Sequence, residues 1–346
     1  MALTQRGKVV IGAGAAAVVV ALAAMAFTGT TPGPLQRIVA AVVDRPDPCP
    51  LTGEVRSGED PPARPALTVK VENTRDAYPL AGLERADVIY EEPVEGGLSR
   101  FAALFQCRDA GRVGPVRSAR TTDPKILVPL SDQPLLAFSG AHPKVTAALE
   151  DAAVIQLTET AANQAYERDD ARFAPHNLFA STNVLFRAGA EAGVDPSVPD
   201  PLFRYDDEVP SPSRRRTSAT VAFSSSNVAE WAWAGGRWVR QLDGAPMLSE
   251  HGAPIAVDNV VIQEVVVTMS DIIDASGSHS PEVELVGEGR AWILRDGRLV
   301  KGRWHRESLR DVTVFETRGG EEITLAPGTT FVELMPKDAG GATFER

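Results

Sequence analysis

Short runs of apolar residues, separated by glycine, proline and charged residues, follow one another along most of the chain after residue 65. Three of these runs have the length and composition of strands, and they lie at 67–73, 86–94 and 100–107. Three other segments have the composition of helices, and they lie at 122–132, 142–154 and 181–193. Strands and helices are therefore mixed here, and residues 66–205 are predicted to form an α/β domain.

The pattern changes after a polar stretch at 206–217, which contains acids, two prolines and Arg214–Arg216. Such a stretch is typical of a surface linker, although the three arginines could also form a basic binding patch. Beyond it, glycine-containing turns at 235–236 and 296–297 predict two tight hairpins. A long β-branched run and two last strands are expected at 258–269 and 321–336. The sequence therefore predicts a smaller, mainly β domain over 218–346 and an α+β fold overall.

Tryptophan is confined to this second half, where it occurs at Trp231, Trp233, Trp238, Trp292 and Trp304. Large aromatic side chains in β domains mostly pack in the core or across strands, and we expect that role here. The alternative is an exposed aromatic platform that binds glycans.

The N-terminus carries the pattern of an export signal. Arg6 and Lys8 precede an uncharged, alanine-rich stretch at 9–27, and basic residues before an apolar segment stay on the cytoplasmic side. Residues 1–27 are therefore predicted to be a single-pass anchor in the cell membrane, with the rest of the chain outside the cytoplasm. Cleavage near 24–26 is the alternative, in which this segment is a signal peptide and the chain is exported. Residues 28–65, rich in proline and charge, are predicted to be a tether.

The chain has only two cysteines, Cys49 and Cys107, and an exported protein meets an oxidising environment. We therefore predict a disulfide between them. A cysteine and histidine metal site would have too few thiols. Asp271, Asp274 and His279 also carry metal-ligating groups, but their spacing matches no known cage, and we interpret them as a polar loop. No metal is expected.

The net charge of −11 argues against nonspecific nucleic-acid binding, which needs a positive surface. The sequence also lacks HExxH, GxSxG, a Walker loop and a dinucleotide fingerprint after a strand. No cofactor is therefore predicted. Any chemistry has to come from side chains that the fold brings together.

Charged residues crowd around the third predicted strand, in the segment 91–120. Arg100 opens the strand, and Arg117 and Arg120 follow a Gly-Pro turn. Guanidinium groups bind phosphate or carboxylate through paired hydrogen bonds, and free backbone N–H groups near Ser118 would favour anions as well. The segment therefore predicts an anion-binding site, which an acidic protein can hold locally.

The same segment also has a purely structural interpretation. Glu91, Glu92 and Glu95 precede the strand, and they could pair with the arginines and fix the strand ends together. Glutamates could also be catalytic, since glycan cleavage commonly uses two carboxylates. Adjacent residues of a strand point to opposite faces, however, so Glu91 and Glu92 are not expected to line one cleft.

Histidines supply the other candidates for chemistry. His176 and Asn177 lie in the loop before the third predicted helix, where a histidine can be an acid, a base or a ligand, with a structural role as the alternative. Ser139 and His142 suggest a nucleophile and its base, but no third member is evident. The candidate ligand-binding residues are Arg100, Arg117, Ser118, Arg120, His142, His176 and Asn177, and the candidate catalytic residues are Glu91, Glu95 and His176.

Several motifs together resemble a known family. They are VEN at 71–73, ADVIYE at 86–91, EGGLSRF at 95–101, GPVRSAR at 114–120 and APHN at 174–177. These motifs are similar to those of the YerB-type lipoprotein family, whose members carry an N-terminal domain of unknown function (DUF3048) and a smaller C-terminal domain. The runs that resemble the second domain lie at 258–262, 287–304 and 325–336. The resemblance covers about residues 67–336.

The resemblance implies an exported, membrane-associated bacterial envelope protein, but it brings no known activity or catalytic residues. Many relatives look like lipoproteins, whereas no cysteine directly follows the apolar stretch here, so the anchor would be the peptide itself. The leading hypothesis is a protein that binds an anionic cell-envelope polymer or a lipid-linked precursor. The alternatives are a hydrolase or transferase acting on wall glycan or phosphodiester bonds, and a structural scaffold for envelope proteins.

Overall fold

The structure is a computed structural model that describes residues 46–274, 277–338 and 340–346. Residues 48–346 belong to one compact unit. The predicted membrane segment at 1–27 lies outside the described residues, as does the predicted tether up to residue 45. Across the described part of the chain, no helix combines the length and the apolar character needed to cross a membrane.

Strands dominate the described residues, and three α-helices accompany them. The strands before residue 206 are β1 (Leu67–Glu72), β2 (Val88–Pro93), β3 (Ser99–Phe105), β4 (Leu135–Phe138), β5 (Ile155–Thr158), β6 (Tyr166–Arg168) and β7 (Leu178–Ala180). The strands after it are β8 (Ser213–Arg215), β9 (Ser218–Ala222), β10 (Val228–Ala234), β11 (Arg237–Leu242), β12 (Ala245–Pro246), β13 (Ala256–Val257), β14 (Asn259–Val265), β15 (Val267–Ile273), β16 (His279–Val283), β17 (Gly287–Arg295), β18 (Arg298–Arg306), β19 (Val314–Thr317), β20 (Thr330–Pro336) and β21 (Gly341–Glu345). The helices are α1 (Thr122–Leu127), α2 (Pro143–Asp151) and α3 (Thr182–Glu191). The fold contains both helices and strands, as predicted, but it is more strongly β than an α/β first domain implies.

One sheet of eleven strands contains elements from both halves of the described chain. Its order is β19-β18-β17-β14-β20-β2-β3-β1-β4-β5, with β8 also paired to β18. We call it the main sheet. Strand β20 joins the halves, because it lies between β14 and β2 and pairs with both in parallel. Residues of the two predicted domains, 66–205 and 218–346, thus contribute to one sheet.

The main sheet is buried on both faces. One face packs against a second sheet of order β12-β11-β10-β9-β21, with β13 paired to β11. This contact is aromatic, since the ring centroid of Trp231 in the second sheet lies 4.9 Å from that of Phe331 in the main sheet. Within the main sheet, the Phe331 centroid also lies 5.8 Å from that of Phe101. The other face shares a core with α1, α2 and the two-stranded sheet β15–β16. Because successive residues of a strand point to opposite faces, neighbours along β2 enter different cores.

Both predicted hairpins are present, as β10–β11 and β17–β18. The expectation of two strands over 321–336 is wrong, since only β20 forms there and Glu322 and Leu325 make isolated bridges. Pro327 lies between, and proline removes a backbone donor from any ladder. Within the predicted linker, Arg214 and Arg215 are exposed on the short strand β8.

Three of the five tryptophans, Trp231, Trp238 and Trp304, are buried, which confirms core packing for them. Trp231 Nε1 donates to Glu333 Oε1 at 2.7 Å, and Trp304 Nε1 donates to the Glu264 carbonyl at 2.8 Å. An exposed aromatic platform would therefore have at most two of its five proposed members.

The predicted disulfide is present between Cys49 and Cys107, whose Cα atoms lie 6.1 Å apart. Tyr205 Oη donates to the Leu51 carbonyl at 2.5 Å and holds the same segment from another side. The last part of the predicted tether is thus fastened to the folded unit just beyond the end of β3.

Candidate functional site

A loop at 113–120 carries two of the three predicted arginines past the ends of β1 and β7. The Val116 N–H donates to the Leu178 carbonyl at 2.7 Å, and the Arg117 N–H donates to the Lys70 carbonyl at 3.0 Å. The loop is therefore hydrogen-bonded on two sides. These bonds fix the backbone positions from which its side chains extend.

Glycine is required at the turn of this loop. Gly114 has a φ of 147°, which residues with side chains rarely adopt. A Cβ atom there would lie 2.9 Å from the Leu178 carbonyl oxygen and 2.9 Å from the Val116 nitrogen. The absence of a side chain lets the loop approach β7 closely.

Arg120 is paired with Glu95, one of the three glutamates proposed as partners. Arg120 Nε donates to Glu95 Oε2 at 3.0 Å, and Ser280 Oγ of β16 donates to Glu95 Oε1 at 2.6 Å. Burial opposes the charged form of Glu95, but the hydrogen bonds from Arg120 and Ser280 outweigh it, and its pKa is lowered. Glu95 is therefore held as an anion, which suits a partner that orients Arg120.

Arg117 lies beside Glu72, the last residue of β1, with 3.4 Å between Arg117 Nε and Glu72 Oε1. The other carboxylate oxygen, Glu72 Oε2, lies 2.9 Å from His176 Nδ1. Glu72 thus connects His176 to Arg117. No chemical pattern pointed to Glu72, and its place in the VEN motif was the only signal for it.

Arg100 differs from the other two arginines in its partners. Its Nη1 donates to the Ser118 carbonyl at 3.0 Å. Glu72 and Glu92 are its neighbours on the adjacent strands, yet among the described residues no carboxylate lies within ion-pair distance of its guanidinium group. Burial, together with the charges of the other arginines, lowers the pKa of Arg100 to about 10. Arg100 therefore stays charged at neutral pH without a direct counter-ion.

We call Arg100, Arg117 and Arg120, with the carboxylates of Glu72 and Glu95, the arginine site. A cavity of about 250 Å³ opens beside Arg120. Its polar lining comes from Glu95, Ser118, Arg120, His142, Asp274 and Ser280. Four residues predicted from the sequence therefore meet at this cavity, whereas Arg100 and Arg117 do not line it.

Asn177 and Glu91 do not line this cavity, whereas His142 lines it but has its hydrogen-bond partner elsewhere. Asn177 Oδ1 accepts from Arg168 Nη1 at 3.2 Å. His142 Nδ1 accepts from the Lys144 N–H at 3.2 Å, where α2 begins, and no hydrogen bond joins it to Ser139. Glu91 points to the face of the main sheet opposite to Glu72. Of the three glutamates in the segment, only Glu95 pairs with one of the predicted arginines.

Glu91 belongs to a buried charge cluster between the two large sheets. Arg240 of β11 donates to Glu91 Oε2 at 2.9 Å and to Glu333 Oε1 at 3.0 Å. Burial, and then the nearby charge of Glu91, raise the pKa of Glu333 well above its usual range. Glu91 and Glu333 have no exposed surface, and Arg240 is nearly covered, so this cluster is structural.

A second buried charge cluster lies on the opposite face and consists of Lys70, Glu92 and Asp123. Lys70 Nζ is in close contact with Glu92 Oε1 and lies 2.9 Å from Asp123 Oδ1. Sequence reasoning missed Lys70 and Asp123 as partners. The available signal was a lysine inside an otherwise apolar strand.

No group of three or more His, Cys, Asp or Glu side chains that could hold a metal occurs within 46–274, 277–338 and 340–346. Asp271 pairs with Lys144, and His279 Nδ1 lies 2.7 Å from the Ser270 carbonyl oxygen. The interpretation as a polar loop is wrong for these two of its three residues, since Asp271 lies on β15 and His279 on β16, and both have protein partners.

Known proteins match the chain over most of its length. The N-terminal domain model of DUF3048, a protein of unknown function, matches residues 51–195, and the C-terminal domain model matches residues 219–332. The chain is 26% identical over 298 residues to YerB of Bacillus subtilis (strain 168), which is named as a candidate lipoprotein, and the match covers 83% of this chain and 86% of YerB. A crystal structure of YerB from Bacillus subtilis agrees with a TM-score of 0.71 at 25% identity, over 86% of this chain and 99% of that one.

Proposed function

We propose a function for this chain from its own site, because it belongs to the DUF3048 family of proteins of unknown function. The chain is an exported, membrane-associated envelope protein that binds an anionic ligand at the arginine site. Arg100 carries this proposal: it is a partly buried cation that has two arginines beside it and no direct counter-ion in the part of the chain that the structure describes.

Two observations support a place outside the cytoplasm. The Cys49–Cys107 disulfide is of a kind that persists in oxidising compartments. The relative YerB is named as a candidate lipoprotein, and lipoproteins are held at a membrane. Residues 1–27, which are predicted to supply the anchor here, lie outside the described residues.

The ligand is expected to present a phosphate or a carboxylate. A hydrogen bond to a charged group contributes about 1.5–3 kcal/mol, and a planar guanidinium group can make two to one such anion. Glu72 and Glu95 already orient Arg117 and Arg120, so the ligand would supply the anionic partner that Arg100 lacks among the described residues. The cavity of about 250 Å³ beside Arg120 is small for a ligand site, and Arg100 does not line it. The ligand would therefore be a larger molecule, such as an envelope polymer or a lipid-linked precursor, that places one group in this cavity and an anionic group at Arg100.

The test compares Arg100→Gln with wild type in titrations of the full chain with polyglycerol phosphate and with polygalacturonate, a phosphate polymer and a carboxylate polymer. Losing a charge-assisted hydrogen bond should weaken binding of the preferred polymer by about 10- to 100-fold. Arg100→Gln tests ligand binding more specifically than a change at Arg120, because removing Arg120 would also leave the buried Glu95 carboxylate without its ion-pair partner. The melting temperature should stay near that of wild type, because no ion pair is broken.

Arg303→Gln is the matched control, since Arg303 is an exposed arginine paired with Glu288 on the far part of the main sheet. Its binding should equal that of wild type. The proposal fails if the wild-type chain binds neither polymer, or if the two variants bind equally well.

A hydrolase or transferase acting on wall glycan or phosphodiester bonds is the second candidate. The contact between Glu72 and His176 has the distance at which a carboxylate orients a histidine for acid–base catalysis, and it lies beside Arg117. Recovery of shortened polymer after the titration would favour catalysis, and intact polymer would favour binding alone. A scaffold role has less support, because three tryptophans that could have formed an exposed apolar patch are buried.

A further inference from the structure

Lys70, Glu92 and Asp123 form a reactive arrangement that ligand binding does not use. They come from β1, β2 and the first turn of α1, and none of the three side chains has exposed surface. Lys70 Nζ lies 2.9 Å from Asp123 Oδ1 and in close contact with Glu92 Oε1. An amine and a carboxyl group are thus held together, with a second carboxyl group beside them, away from water.

We propose that Lys70 and Asp123 become joined by an intramolecular amide bond between Lys70 Nζ and Asp123 Cγ, with Glu92 carrying the proton. This inference goes beyond anion binding and does not depend on it. The bond would be a permanent link between the main sheet and helix α1.

The atoms balance without any other reactant. The Lys70 ammonium gives one proton to Glu92, and the neutral amine attacks Asp123 Cγ. Glu92 returns the proton to Asp123 Oδ1, the nitrogen loses its second proton to the same oxygen, and that oxygen leaves as water. The C–O bond breaks as the C–N bond forms, and nothing is oxidised or reduced.

The surroundings of Asp123 fit this reaction. Asp123 Oδ2 accepts from the Arg120 N–H at 2.6 Å, and that donor would stabilise the negative oxygen of the tetrahedral intermediate. Among the described residues, Asp123 Oδ1 has no hydrogen-bond partner although Lys70 Nζ is only 2.9 Å away, so the amine is near the carboxyl group without a well-directed hydrogen bond. Oδ1 is therefore the oxygen placed to leave.

Glu92 fits the role of proton carrier. Burial, opposed by Lys70 and reinforced by Asp123, raises the pKa of Glu92 to about 7. A carboxyl group with such a pKa both accepts and donates a proton near neutral pH. Fixed reactants also avoid the entropy cost of meeting, which speeds intramolecular reactions by large factors.

The product would relieve an unfavourable arrangement. Three charged groups without water pay a desolvation penalty that their mutual attraction often fails to offset. Conversion of the Lys70 and Asp123 charges to a neutral amide removes most of it. Both residues also hold the arginine loop, through the Lys70 carbonyl and Asp123 Oδ2, so the link would brace that loop.

The test is mass spectrometry of the full exported chain after reduction and digestion with trypsin at neutral pH. Trypsin cuts after a free lysine but not after an amide-bonded one. We expect one species in which residues 57–75 are linked to residues 121–125, with the mass of their sum less one water. Cyclisation of Asp123 onto the next backbone nitrogen cannot mimic this loss, because Pro124 has no N–H.

Finding both segments only as free peptides in the wild-type chain, with cleavage after Lys70, overturns the proposal. Lys70→Arg keeps the positive charge and should give no linked species. Asp123→Asn should give the same linked species while the intact chain loses ammonia in place of water. Glu92→Gln should lower the linked fraction several-fold, and unchanged linkage in this variant would remove Glu92 from the reaction.

Discussion

Arg240 holds Glu91 and Glu333 together in a space that water does not reach. Its guanidinium group also lies over the ring of Trp231, with 5.4 Å from Cζ to the ring centroid. Burying ionised groups costs several kcal/mol each unless they are paired. The contact between the two large sheets is therefore expected to depend on this one cation.

Replacing Arg240 with methionine should lower the free energy of unfolding by about 3–5 kcal/mol, because the Glu91 carboxylate would stay buried without its cation and Glu333 would lose a hydrogen bond. Urea denaturation at neutral pH measures the change. Arg303→Met removes an exposed arginine and should change the same quantity by less than about 1 kcal/mol. Equal decreases in the free energy of unfolding of the two variants would show that the buried cluster contributes no more to stability than an exposed ion pair.

Residue types near turns led to Arg100, Arg117, Arg120 and His176, and the fold links Arg117 to His176 through Glu72. The partners were harder to predict. A charged residue inside an apolar strand, such as Lys70, signals a buried partner without saying where it is. Asp123 and Arg240 lie far along the chain from the groups that they meet, and no spacing in the sequence records those contacts.

The loop at 113–120 shows how one element sets the site. Its backbone donates to β1 on one side and to the start of β7 on the other. The close approach to β7 depends on Gly114, where a Cβ atom would touch two backbone atoms at 2.9 Å. A shift of this loop would move both of its arginines together.

Gly114→Ala should therefore destabilise the chain by about 1–3 kcal/mol through backbone strain. It should also speed amide exchange at Val116 and Arg117, whose N–H groups hold the loop. Urea denaturation and hydrogen exchange measure the two effects.

Gly111→Ala is the matched control in the same region. No atom of the described residues lies within 4 Å of a Cβ atom at Gly111. This variant should match wild type in stability and exchange. If Gly114→Ala matched Gly111→Ala in both stability and amide exchange, the loop would not depend on glycine at position 114.

At the scale of elements, apolar runs correctly located β1, β2, β3 and both hairpins of the second half. The apolar pattern also fixes which face of a strand each residue takes. It does not tell which strand lies next to which. The place of β20 between β14 and β2 therefore could not be predicted, because long-range pairing depends on the packing of the whole chain.

The whole molecule is tied together by β20, which comes from near the end of the chain and pairs with β2 from near its start. Without β20, β2 would present an unpaired edge in the middle of the main sheet, and the cores on its two faces would lose Phe331 and Val332, respectively. Open edges of this kind favour aggregation. The first half is therefore expected to need the second half in order to fold.

Residues 48–205 produced alone should lack stable tertiary structure, whereas residues 48–346 should fold. Hydrogen exchange is the measurement, with the amides of β2 and β3 as reporters. These amides should exchange rapidly in the fragment and slowly in the longer chain. Slow exchange in the fragment would mean that the first half is self-sufficient despite the shared sheet.

The position of β20 near the end of the chain also determines when the main sheet can form during protein synthesis. Protein synthesis begins at the N-terminus and proceeds at about 5–20 residues per second, so β20 is made on the order of tens of seconds after β2. During that interval β1, β2 and β3 can already meet, but the neighbour that β2 needs does not yet exist. The native sheet can close only when nearly the whole chain has been made, and a chain kept extended until then avoids pairing with a wrong strand.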